Sequence, residues 1–173
     1  MRFVKFILIA CLLSSCATKT MFTSSLKEES GLPLSQLKKI QFYTSEEIVL
    51  YKTKEKTDAK VKDGKIILET DKDSEKIIIK KNTPCILESE VDKNKMLFSF
   101  EYGEGKVLLF GNTNGGQFSL MAKEWKDKMG VIDYANKVYL TNGGAVYLTV
   151  NAKKLKKLKD RSEERRVGKE CRL

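Results

Sequence analysis

Between Ile40 and Val150 the apolar residues come in short runs of four or five, set off by Gly, Asn, Asp and Lys. Ile40-Gln41-Phe42-Tyr43 and Ile48-Val49-Leu50-Tyr51 are rich in β-branched and aromatic side chains, and such bounded runs predict strands. Lys65-Ile66-Ile67-Leu68-Glu69 follows Asp63-Gly64, a pair suited to a tight hairpin whose central residues take positive φ. Lys76-Ile77-Ile78-Ile79-Lys80 and Cys85-Ile86-Leu87-Glu88 come next, separated by Asn82-Thr83-Pro84. In the run from Met96 to Tyr102 a period of two sets Met96, Phe98, Phe100 and Tyr102 on one face. Gly103-Glu104-Gly105 then turns the chain into Lys106-Val107-Leu108-Leu109-Phe110. Val131–Tyr134 and Lys137–Leu140 are expected to pair about Ala135-Asn136, and Val146–Val150 is the last clear strand.

Several stretches read less simply. Phe118, Leu120 and Ala122 alternate as in a strand, whereas Met121, Trp125 and Met129 recur at helical spacing. The expectation is a strand followed by a short helical or loop excursion over Lys123–Lys128. Thr113-Asn114-Gly115-Gly116 is echoed by Thr141-Asn142-Gly143-Gly144, each before a further apolar run. Two independent tight hairpin turns account for the echo more simply than a duplicated unit does. Leu32–Leu37 reads as a short helical or turn-like start, and Lys153–Lys159 as the beginning of a helix. The pattern as a whole predicts an all-β fold, a single antiparallel β domain over residues 32–160 built as a sandwich, roll or small barrel. A domain of about 130 residues buries roughly two thirds of its unfolded surface in one core.

Ahead of that domain stands a different pattern. Arg2 and Lys5 form a basic start, Phe6–Leu13 is a compact apolar run, and Leu13-Ser14-Ser15-Cys16 closes it. The run is far shorter than the roughly 18 to 20 residues of a membrane-spanning helix and has the layout of an export signal. Leu13-Ser14-Ser15-Cys16 resembles the lipobox of bacterial lipoproteins. That resemblance implies cleavage before Cys16, acylation of Cys16 and anchorage in a membrane through its acyl chains. Each buried methylene contributes about 0.8 kcal/mol, so two or three chains hold stably where one holds marginally. Residues 1–15 are then signal peptide, and residues 16–31, polar and rich in Ser, Thr, Lys and Glu, a flexible tether behind the lipidated cysteine. Ala17-Thr18 carries no acidic sorting residue, which by analogy favours the outer membrane, facing the periplasm.

The far end also departs from the body of the chain. Up to Asp160 lysine is nearly the only cation, whereas arginine dominates from Arg161. One back-translation of residues 161–171 resembles a short-read sequencing adapter. Residues 161–173 are therefore read as a non-native tail and left out of the fold, and the natural C-terminus past Asp160 stays open.

Both ends change the chemistry. The net charge of +10 falls to +6 for residues 16–160, because the signal and the tail each carry +2. What remains is Lys alternating with Glu and Asp, as on a solvated β surface. An exported address argues against nucleic acid, while an envelope polymer or an envelope protein remains a suitable partner. Of the four cysteines, Cys11 leaves with the signal, Cys16 is lipidated and Cys171 lies in the tail. Cys85 is left alone, most simply as a small buried apolar residue.

The chain has no histidine, which excludes Ser-His-Asp and Cys-His catalysis and histidine-ligated zinc. Gly111-Asn112-Thr113-Asn114-Gly115-Gly116 lacks the Gly-Lys-Ser/Thr ending of a phosphate loop and reads as a hairpin tip. Asp71, Asp73 and Glu75 imitate the start of a calcium loop, but Lys76 stands where its glycine belongs. No metal site, cofactor or catalytic residue is therefore assigned. Tyr102, Trp125, Tyr134, Tyr139 and Tyr147 could line a carbohydrate-stacking surface, although alternating aromatics on small sheets more often pack in the core. The expected function is a non-enzymatic binding or accessory role in the cell envelope. Its rival is a carboxylate-dependent hydrolase of envelope polysaccharide, which composition leaves open.

Overall fold

The computed structural model describes residues 19–52, 61–62, 65–66, 76–112 and 116–170. Along most strands buried and less buried residues alternate, as a period of two requires when one face meets a core. The strands are β1 (Lys19–Met21), β2 (Gln41–Thr44), β3 (Ile48–Lys52), β4 (Val61–Lys62), β5 (Lys65–Ile66), β6 (Lys76–Ile79) and β7 (Pro84–Asp92). After them come β8 (Lys95–Ser99), β9 (Val107–Asn112), β10 (Phe118–Leu120), β11 (Glu124–Lys126), β12 (Met129–Tyr134), β13 (Lys137–Thr141) and β14 (Leu148–Asn151). Three helices join them: α1 (Ser24–Ser30), α2 (Leu34–Leu37) and α3 (Ala152–Glu170).

Two antiparallel sheets form one sandwich-like domain, and among the described residues no closed barrel is made. The larger sheet has the order β1-β14-β2-β7-β8-β9-β10 and the smaller β11-β12-β13-β3-β6, while β4 and β5 pair only with each other. Isolated bridges, Thr23 to Gln117 and Ser119 to Tyr147, tie β10 back towards the β1 side without completing a ladder. The core holds a chain of aromatic contacts, Phe118–Phe22–Phe42–Phe98–Phe110, with ring centroids 4.9 to 5.6 Å apart. Tyr134 and Tyr139 meet edge to face on the opposite sheet.

Several expectations hold. Ala135 and Asn136 take φ of 50° and 60° and join β12 to β13, and the four-residue α2 occupies the Leu32–Leu37 start. Lys62 pairs with Lys65, while the expected turn residues Asp63 and Gly64 lie outside the described residues. Cys85 is buried and free.

Others are corrected. Residues 19–31 are no flexible tether, and the domain does not begin at residue 32. β1 pairs with β14, and Phe22, fully buried, donates its N–H to Leu148 and accepts from the N–H of Phe118. The side chain of Thr23 caps α1 by accepting from Leu26 N–H at 3.1 Å, and Gly31 ends it at φ 59°. Lys123–Lys128 is neither helix nor loop excursion: Asp127 and Lys128, at φ 49° and 69°, fold β11 back on β12. Helical spacing misled there because Met121 and Trp125 cover glycines; a Cβ at Gly111 or Gly130 would collide with them.

The Asn-Gly-Gly echo does not mark two equivalent hairpins. β9 and β10 do pair, with Asn112 opposite Phe118, but across five residues rather than two, and residues 113–115 of that loop lie outside the described residues. After Thr141 the chain leaves the smaller sheet and joins the larger as β14. Tyr102 does not share the buried face of Met96 and Phe98, because β8 ends at Ser99 and leaves Tyr102 99% exposed. The tail excluded above is continuous with α3 as far as Glu170. Lys, Glu and Arg sustain a helix once Leu155, buried in the core, has seated its first turns.

Candidate functional site

Cys16, the residue singled out for lipidation, lies outside the described residues, as do Asp71, Asp73 and Glu75. The candidate site is therefore built from the sandwich itself. Register places Gln41 of β2, Ile86 of β7 and Ser99 of β8 side by side on the outer face of the larger sheet. Ile86 is 46% exposed, since alternation sends Cys85 and Leu87 inward and leaves the intervening isoleucine on the surface. Pro84 opens β7 beside it, and the chain after β8 lifts Phe100, Glu101 and Tyr102 along its border. Together they line a shallow open groove of about 170 Å³.

The wall formed by residues 100–106 is pinned to the opposite sheet. The Tyr134 hydroxyl, rising from the buried face of β12, donates to Glu101 Oε1 at 2.7 Å. The Lys106 ammonium lies 3.1 Å from Glu101 Oε2, and Ala135 N–H donates to Gly105 O at 2.8 Å. The hydrogen bond from Tyr134 and then that from Lys106 hold the Glu101 carboxyl below the usual carboxylate range. Burial, reinforced by the bond to a carboxylate, pushes the Tyr134 phenol well above its ordinary value. The pair is thus a fixed donor and a fixed acceptor. Beneath the groove, burial likewise raises the Cys85 thiol, so it is no ready nucleophile. At the β1 edge the Lys19 ammonium sits 3.6 Å from the Tyr43 ring centroid and donates to Asn82 Oδ1 at 3.2 Å.

The five aromatics proposed as a stacking surface are dispersed. Tyr134 and Tyr139 are core, Tyr147 is half-buried, and Trp125 is 40% exposed over Gly130 and Gly144. Only Tyr102 borders the groove. Sequence reasoning missed Ile86 and Glu101 there. Ile86 was legible as the outward member of an alternating run, whereas nothing local announces that Glu101 meets Tyr134, 33 residues away. Comparison with protein families, curated proteins and solved structures returns no match to this chain.

Proposed function

We propose that the chain is a lipid-anchored protein of the bacterial cell envelope with a non-enzymatic binding or accessory role. It is held through acyl chains on Cys16, at the outer membrane facing the periplasm. The observation that carries this reading is Leu13-Ser14-Ser15-Cys16 at the end of a basic and then apolar start. The surface offered to a partner is the groove, where Tyr102 and Ile86 present apolar area beside polar Gln41 and Ser99. Among the described residues no helix is long and apolar enough to cross a membrane.

The rival hydrolase reading draws no support from Glu101. A general acid for glycosidic cleavage needs a carboxyl whose proton is retained near neutrality, and Glu101 is shifted the opposite way.

The test is Cys16→Ala in the producing cell. It should abolish acylation and accumulate the unprocessed precursor, seen by mass spectrometry of the N-terminal peptide. A wild-type product cleaved elsewhere and free of lipid would overturn the reading. Cosedimentation with isolated envelope polymer, wild type against Tyr102→Ala, then tests the groove.

A further inference from the structure

Lys19 already stands in β1, and this alters what acylation of Cys16 would do. From Cys16 to Lys19 the chain advances three residues, at most about 11 Å even if fully extended. A tether of sixteen residues would let the domain wander from the membrane; a link of this length cannot. The end of the sandwich where β1 starts must then lie against the headgroups.

That end is defined by register. Lys19 pairs with Asn151, the last residue of β14, and α3 follows at once. Val150 pairs with Phe42, so Lys38 and Lys39, just ahead of β2, come up beside the same edge. The first two turns of α3 carry Lys153, Lys154, Lys156 and Lys157, all exposed, while Leu155 between them is buried. Lys38 and Lys39 are exposed as well. None of these six forms an ion pair among the described residues, in contrast to Lys27, Lys81, Lys95, Lys106 and Lys123. Asp160 of α3 and Glu29 of α1 lie towards the Lys159 end of the helix, where the Lys159 ammonium donates to Glu29 O.

The arrangement is locally unfavourable. Like charges three and four residues apart repel, and cations in the first turn oppose the helix dipole, with no acid there to balance them. An anionic surface offsets both.

Resting on the lipoprotein reading above, we infer that the lysines at the start of α3, with Lys38 and Lys39, seat this domain directly on anionic phospholipid headgroups. The short link from Cys16 sets the distance and the lysines set which end faces the bilayer.

The test uses the full acylated protein reconstituted in vesicles of phosphatidylcholine, with or without about 30% phosphatidylglycerol. A water-soluble amine-acetylating reagent is applied and each lysine is read by mass spectrometry. Lys137, exposed on the β12–β13 turn at the opposite end, serves as the internal standard. Labelling of Lys153, Lys154, Lys156 and Lys157 relative to Lys137 should fall about fivefold or more with phosphatidylglycerol. It should recover in about 0.5 M salt while the protein stays on the vesicle. Equal labelling in the two kinds of vesicle, with Cys16 acylated, overturns the seating and leaves the anchor intact. An unmodified Cys16 peptide overturns the anchor, and the seating with it.

Discussion

Against the larger sheet the core is a chain of phenylalanines, Phe118–Phe22–Phe42–Phe98–Phe110, each ring within 6 Å of the next. The outer strands of the smaller sheet are closed by near absence of side chains. Trp125 lies over Gly130 and Gly144, and a Cβ at Gly130 would stand 2.7 Å from Ala122 Cβ and 2.8 Å from Trp125 Cζ3. One region fills its volume with large rings; the other lets backbone and a single indole approach closely. Their failures should therefore differ in kind, the first through lost contacts and the second through overcrowding.

The largest expected effect is at Phe22. It contacts Phe42 and Phe118 at centroid distances of 4.9 and 5.0 Å and is fully buried. Phe22→Ala should destabilise the domain by about 3 to 5 kcal/mol, read as a fall in the urea midpoint. A tether residue would be within about 0.5 kcal/mol of wild type, and that outcome would contradict the place given to residues 19–31.

Gly130→Ala sharpens the contrast from the other side. Alanine suits a strand better than glycine, so an open site would tolerate the change. Here the added methyl must displace Ala122 or the Trp125 ring, and the cost should be about 1 to 3 kcal/mol. The fluorescence of Trp125, the only tryptophan in the chain, should shift with it. A neutral stability change with unshifted emission would show that the indole does not rest on this glycine.

The same contrast explains which parts of the molecule could be read in advance. Strand positions were legible wherever alternation was backed by β-branched residues, as in Ile48–Tyr51 and Val131–Tyr134. Phe22 was hidden within a segment otherwise rich in Ser, Thr, Lys and Glu, although Thr23 as helix cap and Gly31 as terminator were both visible signals of an ordered segment. Trp125 was misread because glycines contribute nothing to a hydrophobic period, so the residue covering them seems to belong to a helix. The pairing of sheets after Thr141 was not legible at all. Asn-Gly-Gly serves a reversal within a sheet and a crossing between sheets, and the choice is made by distant partners. For the candidate site, the groove was not legible, because it joins β2 to the β7–β8 pair, which lies far along the chain.

A smaller effect is expected at the joint between the two regions, where Tyr134 reaches out of the smaller sheet to Glu101. Tyr134→Phe keeps the ring and its contact with Tyr139 while removing the hydroxyl. The loss should be about 1 kcal/mol in thermal or urea unfolding, and amide exchange at residues 100–106 should quicken. Unchanged exchange in that segment would mean that the Ala135–Gly105 bond and Phe100 alone dock it.

Glu101→Gln gives the smallest effect at neutral pH and the most diagnostic one. Glu101 is exposed, so water and salt screen its attraction to Lys106, and the hydrogen bond from Tyr134 survives the change in weaker form. Its carboxyl titrates lower in the folded protein than the ordinary value of 4.5. The stabilisation it supplies is therefore present above that value and is lost as pH falls through the lower, folded one. The stability gap between wild type and Glu101→Gln should be constant from neutrality down to about pH 5 and close at more acid pH. A gap that stays the same down to about pH 2 would show that charge on Glu101 plays no part in joining the sheets. Phe22→Ala should show no such closure, since its loss is apolar: one joint is tuned by a proton and the other by packing alone.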